Sequence, residues 1–216
     1  MIARLPASLQ LLAGATLLSV LVSVPLGVLA AVKRGSWMDR SILAGSLVGI
    51  SAPSFLVAIV LILMFSVNLD VFPSSGRGTL SHFVLPSVSL ALLRVAVGIR
   101  FVRSGMLDVL NREYIRTARS KGLSERAVLV RHALRNTMIP FVTITGLQMG
   151  AVLSGAIVIE RIYAWPGMGR LLLNALDRLD YPVIIAYALV AAVIFSVINF
   201  LVDISCFALD PRVRAR

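Results

Sequence analysis

Residues 113–140 read EYIRTARSKGLSERAVLVRHALRNTMIP and form a basic, polar, helix-forming stretch between long apolar segments. From residue 100 to residue 135, nine basic side chains stand against only three acidic ones, Asp108, Glu113 and Glu125. The nine are Arg100, Arg103, Arg112, Arg116, Arg119, Lys121, Arg126, Arg131 and Arg135. So much charge is too costly to bury in a bilayer, whereas the flanking runs are apolar enough to cross one. The stretch therefore predicts a long loop outside a membrane, between helices that span it.

The composition of the whole chain supports a membrane protein. Apolar residues make up 58% of the 216 residues and charged residues 14%, and the mean hydropathy is +0.93. A soluble domain is about half apolar and about a quarter charged. The net charge of +11 would suggest nucleic-acid binding in a soluble protein. Here the charge lies between apolar runs, so loop orientation explains it and no nucleic-acid partner is expected.

Windows of about 20 apolar residues predict an all-α integral membrane protein with a single transmembrane domain over residues 1–216. The predicted spans are 7–32, 41–67, 83–102, 140–159 and 183–207. Strands are disfavoured because the runs are continuous and do not alternate with polar residues. Pro25 and Pro53 interrupt two spans and are interpreted as packing kinks rather than dedicated hinges.

Basic residues in the loops predict the orientation of these spans. Fifteen lie in the loops after the first and third spans and after the fifth, against five in the opposite loops, with Arg94 left inside a span. Because basic loops stay in the cytoplasm, the start of the chain is predicted outside and the C-terminus in the cytoplasm. Residues 7–32 are too long and too uniformly apolar for a cleavable signal peptide.

The basic loop, residues 103–139, is itself predicted to fold as two helices joined at a glycine. Helical spacing of Leu107, Leu110, Tyr114 and Ala118 predicts an amphipathic helix over residues 106–121 that continues the third span. Gly122 would end this helix and Ser124 would cap a second one. An apolar stripe is expected on the second helix, and Pro140 is expected to start the fourth span. The stripe comprises Leu123, Ala127, Val130, Leu134 and Met138.

Composition alone leaves two interpretations of this loop open. It could fill a groove on a soluble partner, with apolar anchors and a charged rim. It could equally rest on anionic lipid, which attracts the same residue types.

The order of residues in the loop carries a resemblance to a known family. Residues 114–125 (YIRTARSKGLSE), residues 131–136 (RHALRN) and Pro140 closely resemble the cytoplasmic coupling loop of ABC transporter permeases. Arg116-Thr117-Ala118 replaces the Glu-Ala-Ala of the general importer motif, and Gly122 lies eighteen residues before Pro140. In both departures the sequence resembles one class of these permeases, which imports dipeptides, oligopeptides or nickel. The proteins of this class are binding-protein-dependent transport inner-membrane components. Other stretches that look like this class are Arg4-Leu5-Pro6, Ser51-Ala52-Pro53-Ser54-Phe55, Trp165-Pro166-Gly167-Met168-Gly169, Asp180-Tyr181-Pro182 and Leu209-Asp210-Pro211-Arg212.

The resemblance implies a permease subunit of an ATP-driven importer in a bacterial or archaeal inner membrane. Its expected partners are a second homologous permease, cytoplasmic ATPase subunits, an external solute-binding protein and membrane lipid. Short peptides are the expected substrates, with nickel complexes, glutathione-like peptides and oligosaccharides in the same class. The residues expected to couple to the ATPase are Tyr114, Arg116, Thr117, Ala118, Gly122 and Leu123. Longer relatives begin with one further transmembrane helix, which this chain is expected to lack.

Arg94 and the loop of residues 160–181, which is predicted to lie outside, are the other candidate functional features. An intramembrane arginine usually faces a pathway or a partner, so Arg94 is a candidate contact for a substrate carboxylate or carbonyl. One alternative is that Arg94 forms an ion pair with Asp203, which is interpreted as a structural residue at a helix end. Another is that this helix reaches the cytoplasm earlier than the predicted span 83–102 implies. In residues 160–181, Tyr163 and Trp165 are interpreted as interfacial anchors. This loop is either a docking face for the external binding protein or a re-entrant plug.

No catalytic, cofactor or metal site is predicted on this chain. The sequence has no Walker phosphate loop, so ATP would be used by partner subunits. His82 and His132 are predicted on opposite sides of the membrane, and the single cysteine, Cys206, has no partner for a disulfide. Two other classes remain open, a non-transporting scaffold or receptor subunit and a secondary transporter. The second is disfavoured because carboxylates are scarce inside the spans.

Overall fold

The computed structural model describes the backbone of residues 1–209. Within that range it describes the surroundings of every side chain except Ile2, Leu147, residues 150–154 and residues 206–209. The described helices are α1 (Leu5–Val32), α2 (Trp37–Ser51), α3 (Ser54–Leu61), α4 (Leu80–Leu110), α5 (Glu113–Ser120), α6 (Glu125–Ala127), α7 (Arg135–Ile162), α8 (Met168–Asp177) and α9 (Tyr181–Leu209). A 3₁₀ turn (Ile2–Arg4) precedes α1, and π-helical turns follow α3 (Ile62–Asn68) and α6 (Val128–Leu134). Residues 1–209 contain no strand. Cys206 and the C-terminal arginines used to predict the orientation lie outside the described side chains.

The centre of the fold is the packing of α1 against α4. Small residues let the two backbones approach closely. A Cβ atom on Gly27 would lie 2.7 Å from the Cβ of Val102, and one on Gly98 would lie 2.7 Å from the Cβ of Ser23. No larger side chain fits at these crossings, so the two helices hold each other in one register.

The two prolines in predicted spans behave differently. Pro25 lies inside α1, which continues from Leu5 to Val32, so the interpretation as a kink fits it. At Pro53 the helix stops: Ala52 is extended, with ψ 119°, and α2 and α3 meet at a bend of 104°. A proline disfavours helical geometry at the residue before it and removes a backbone donor. The interpretation of Pro53 as a packing kink is therefore wrong, and residues 41–67 form two helices.

Three described helices are long and apolar enough to cross a membrane: α1, α4 and Tyr181–Ser205 of α9. The bent pair of α2 and α3 would make a fourth. α7 overlies the predicted span 140–159 but begins earlier, at Arg135, so that Pro140 lies within the helix. Part of its side chains lie outside the described residues, and the count of five spans stays a prediction.

An ion pair fixes the start of α2 to α4. Arg103 donates from Nε and Nη2 to the two carboxylate oxygens of Asp39, at 2.7 and 2.8 Å. Asp39 also accepts from the backbone N–H of Gly35, at 2.9 Å, and its side chain is 4% exposed. Truncating one partner of a buried pair leaves the other uncompensated. This end of α4, next to the basic loop, is therefore tied to the start of α2.

Candidate functional site

The basic loop folds into an elbow, which we define as α5, the turn at Lys121–Ser124, α6 and the π-helical turn Val128–Leu134. Gly122 has φ +77°. Its N–H donates to the carbonyl of Arg119 at 2.9 Å, and the N–H of Leu123 donates to that of Ala118 at 3.4 Å. This is the Schellman ending of a helix, which places glycine in the left-handed conformation. Ser124 then caps α6, its Oγ accepting from the N–H of Ala127 at 3.4 Å.

One side of the elbow is buried against the end of α4. Ile115 and Val128 are fully buried and Ala118 is 7% exposed, and all three pack on Val109 and Leu110. The contact joins both arms of the elbow to the same turn of α4. The elbow and the end of α4 are therefore joined through apolar packing.

Two details of the predicted loop are wrong. The helix predicted over residues 106–121 breaks at Asn111 and Arg112, where Arg112 is extended with ψ 148°. This break changes which face is buried, so Ile115 rather than Tyr114 points inward. Tyr114 is 44% exposed and its hydroxyl accepts from Asn136 Nδ2 at 3.2 Å.

The predicted apolar stripe of the second helix is also wrong in part. Val130 is 57% exposed and Leu123 is 43% exposed, whereas Val128 and Ala133 are fully buried. For Val130 the cause is the π-helical turn, whose i→i+5 hydrogen bonds place residues five apart, such as Val128 and Ala133, on one face. A stripe drawn with the α-helical period follows the wrong face there.

The exposed side of the elbow holds five of the six predicted coupling residues. Tyr114, Arg116 and Thr117 lie on α5, and Gly122 and Leu123 follow at the turn, all exposed. Ala118 is the exception because it packs inward. Among these residues, Tyr114 and Leu123 are apolar side chains that stand among basic ones, as on a surface for a partner. Their contact with an ATPase stays a prediction.

An ion pair braces the elbow across its turn. Arg119 on α5 donates from Nη2 and Nε to Glu125 on α6, at 2.6 and 3.1 Å. The Arg119 guanidinium holds the pKa of the Glu125 carboxyl below its usual value through these hydrogen bonds. Both side chains are well exposed, so the pair adds little to global stability. Its role is to set the angle between the two arms.

We expect Glu125→Gln to loosen the elbow at neutral pH. In acid, where the Glu125 carboxyl of the wild type is protonated, we expect the variant and the wild type to behave alike. A carboxyl with a lowered folded pKa stabilises the fold above its unfolded pKa of about 4.3, and this contribution is lost as the pH falls through the folded pKa. Proteolysis at Lys121 and Arg126 in detergent measures the effect. The variant should be cut faster than wild type at pH 7, with the difference shrinking towards pH 4 under an acid-tolerant protease. Equal rates at pH 7 would mean that the pair does not brace the turn.

The loop of residues 160–181 contains a buried carboxylate that the sequence did not reveal as important. Glu160, 1% exposed, accepts from the hydroxyl of Ser8 at 2.5 Å and from the N–H of Arg170 at 3.1 Å. The Ser8 hydroxyl in turn accepts from the N–H of Met168, at 2.8 Å. Glu160 and Ser8 therefore satisfy the free N–H groups at the start of α8, where a negative charge is favoured. The sequence gives no signal of this role, because Glu160 lies near the end of α7 and the N–H groups that it caps belong to the next helix, beyond a loop.

The two aromatic residues of this loop are core residues. Tyr163 is 1% exposed and Trp165 is 2% exposed. The Tyr163 hydroxyl lies 3.0 Å from that of Ser89, and Trp165 Nε1 donates to the carbonyl of Ala7 at 2.9 Å. Their interpretation as interfacial anchors is wrong, because both fill the space between α1, α4 and α7. Whether the loop receives a binding protein or plugs the bundle stays open.

Arg94 lies inside the bundle and does not pair with Asp203. Its Nη1 donates to Thr16 Oγ1 at 2.8 Å and its Nη2 to the carbonyl of Thr145 at 3.4 Å. Asp203 is exposed on α9, so the alternative of an ion pair between Arg94 and Asp203 is wrong. Thr16 lines a cavity of about 970 Å³ between α1 and the start of α4.

Metal ligands do not cluster in the part of the chain that is described. No group of three or more His, Cys, Asp or Glu is placed there to hold a metal ion. His82 instead caps the start of α4, with Nδ1 2.8 Å from Thr79 Oγ1. His132 lies in the elbow, beyond the other end of that helix.

Solved structures identify the fold as that of ABC importer permease chains. A chain of the MetNI methionine ABC transporter in an inward-facing conformation matches with a TM-score of 0.81 and 16% identity, over 97% of this chain and 96% of that one. An amino acid ABC transporter matches with a TM-score of 0.68 and 16% identity, over 96% of this chain and 92% of that one. At these identities the match concerns the fold alone.

Sequence comparison gives the family. Residues 23–215 match the family model described as the binding-protein-dependent transport system inner membrane component, and this chain belongs to that family. The chain is 41% identical to the oligopeptide transport system permease protein AppB of Bacillus subtilis, over 98% of this chain and 70% of AppB. It is 44% identical to the glutathione transport system permease protein GsiC of Salmonella typhimurium, over 91% of this chain. The match spans 64% of the length of GsiC. Family and relatives are permeases, and the chain is a multi-pass membrane protein.

Proposed function

We propose that this chain is the membrane-spanning subunit of an ATP-driven importer, coupled through the elbow to a cytoplasmic ATPase. The observation that carries the proposal is the two-sided elbow. Its apolar side is buried against α4, while Tyr114, Arg116 and Leu123 face outward from a turn that matches the coupling motif. A loop that only rested on lipid would not need an ordered glycine turn and an ion pair between its arms.

α4 would carry the motion of the ATPase into the membrane. It is one helix from Leu80 to Leu110, about 46 Å long at 1.5 Å per residue. Its far end packs on the elbow through Val109 and Leu110, and its near end lines the cavity at Phe83. A shift of the elbow therefore moves the wall of the cavity, as alternating access requires.

Short peptides are the proposed substrates. The relatives named above are permeases of oligopeptide and glutathione systems, and the cavity of about 970 Å³ is at the upper end of the size of small-molecule sites. Nickel complexes and oligosaccharides are carried by the same class and remain less favoured. Selection among these solutes would rest largely with the external binding protein that delivers them.

The proposed partners follow from the same mechanism. A second homologous permease would complete the pathway, and ATP would bind to separate ATPase subunits, with no cofactor on this chain. The exposed apolar side chains along α9, such as Ile185, Leu189 and Val193, suit contact with lipid. The proposed location is a bacterial or archaeal inner membrane, with the elbow and the C-terminus in the cytoplasm.

We expect the chain to retain an ATPase with Walker motifs on purification in mild detergent, and Arg116→Glu to reduce that retention. Arg116 is exposed on α5, so its reversal should leave the fold intact and lower the association rate and affinity if the partner surface is acidic. Arg178→Glu, an equally exposed reversal at the end of α8, is the matched control and should retain the ATPase. Reproducible absence of any ATPase from the wild-type preparation would contradict the proposed function and favour a scaffold or a secondary transporter.

A further inference from the structure

The cavity between α1 and α4 has apolar walls and a basic character. Ala13, Leu17 and Phe83 contribute to the walls, and Gln10, Thr16 and Thr79 contribute polar atoms. Arg77 is the one charged residue among the lining residues that the structure describes, and none of those lining residues carries a carboxylate. A cavity of this kind attracts negatively charged solutes, because low-dielectric walls focus the field of the cation.

Arg77 is held in place in this lining. Its Nη2 donates to Gln10 Oε1 at 2.5 Å, and its guanidinium lies 5.7 Å from the centroid of the Trp165 ring. Both contacts orient the side chain without neutralising it, since an amide and an aromatic face carry no charge. The cation therefore remains available to a solute in the cavity.

Arg94 lies directly behind the cavity wall. It donates to Thr16, whose own hydroxyl donates to the carbonyl of Leu12 at 2.7 Å. Arg94 is 6% exposed, its Nε has no hydrogen-bond partner, and no carboxylate of the described residues pairs with it. A buried guanidinium without a counter-ion is costly, and a bound anion would lower that cost.

We infer that this cavity receives the carboxylate of the transported solute at Arg77, with Arg94, behind the wall at Thr16, adding to the positive potential. The inference rests on the proposed transport function and adds to it the place at which the free carboxylate of a small peptide would lie. A covering helix of a second permease is the alternative occupant. Charge complementarity favours the solute, because an apolar helix would leave two guanidinium groups without an anion.

Thiol labelling in membranes that contain the complete transporter tests the inference without requiring transport. Cys206 is replaced by Ser, and Ala13→Cys, on the cavity wall, is compared with Asn174→Cys, exposed on α8. The probes are methanethiosulfonate ethylsulfonate, which is anionic, and methanethiosulfonate ethyltrimethylammonium, which is cationic. We expect the ratio of anionic to cationic labelling rates to be on the order of fivefold higher at position 13, for a local potential of about one kT.

Variants at the two arginines assign the effect. Arg77→Gln and Arg94→Gln should each lower the ratio towards that of Asn174→Cys, whereas Arg94→Lys should retain it. Dialanine should slow labelling at position 13 more than dialanine amide does. The inference would be overturned if the ratio at position 13 equalled that of Asn174→Cys and did not change in either arginine variant. An introduced thiol at position 13 that reacts with neither reagent would also overturn it, because a partner helix would then cover the cavity. Neither result depends on ATPase binding, which tests the proposed function separately.

Discussion

Gly122→Val is expected to abolish uptake while the protein remains in the membrane at normal levels. Gly122 has φ +77°, and a Cβ atom there would meet nothing within 4 Å. The cost is therefore backbone strain alone, on the order of 1–3 kcal/mol for a β-branched residue in the left-handed region. The Schellman turn would open, α5 would lose its angle to α6, and the outward residues would no longer meet the ATPase together. Uptake of labelled peptide, membrane level by immunoblot and ATPase retention on purification measure the three effects.

Gly35→Val is the matched control for this prediction. Gly35 also has φ +77°, and a Cβ atom there would likewise meet nothing within 4 Å, so valine meets the same unfavourable φ at both positions. It lies in the loop between α1 and α2 and not in the elbow. We expect Gly35→Val to retain the ATPase and most uptake. Wild-type uptake by Gly122→Val with the ATPase fully bound would show that the elbow is not the coupling site, and equal loss in both variants would show a general effect of strain.

Glu160→Ala is expected to destabilise the end of the bundle at residues 160–181 by about 3 kcal/mol, since buried donors left without acceptors cost about 1–3 kcal/mol each. The Ser8 hydroxyl and the N–H of Arg170 both lose their acceptor. The substitution removes the polar link between α1 and α7 and one of the two caps of α8. The measurement is the midpoint of thermal unfolding in detergent, with limited proteolysis of residues 163–168 to localise the change.

Asp177→Ala is the control for the glutamate. Asp177 is also acidic and lies on the same loop. Its ion pair with Arg161, at 3.4 Å, is exposed, since the Asp177 side chain is 62% exposed and that of Arg161 is 57% exposed. Its loss should cost less than about 1 kcal/mol. Glu160→Gln should fall between the two, because an amide retains one acceptor oxygen and directs an NH₂ group at backbone donors. A midpoint for Glu160→Ala that matches Asp177→Ala would contradict the capping role.

Local sequence signals determined the helical class, the family and the turn of the elbow. Long apolar runs broken by a basic loop leave few alternatives to membrane helices, since backbone groups in lipid must be satisfied within the segment. Gly122 and Ser124 act through their own backbone and side chain on residues three to five positions away, so their roles were readable from the chain. The same holds for the exposed positions of Arg116 and Thr117.

Tertiary structure alone decided which residues are buried and what they contact. The break at Asn111–Arg112 and the π-helical turn Val128–Leu134 change the phase of the helix, so neither Tyr114 nor Val130 lies where the α-helical period placed it. Glu160 reaches Ser8 across 152 positions of sequence and Arg94 reaches Thr16 across 78. Contacts over such separations depend on how α1, α4 and α7 pack, and no pattern within one helix encodes the identity of a partner on another.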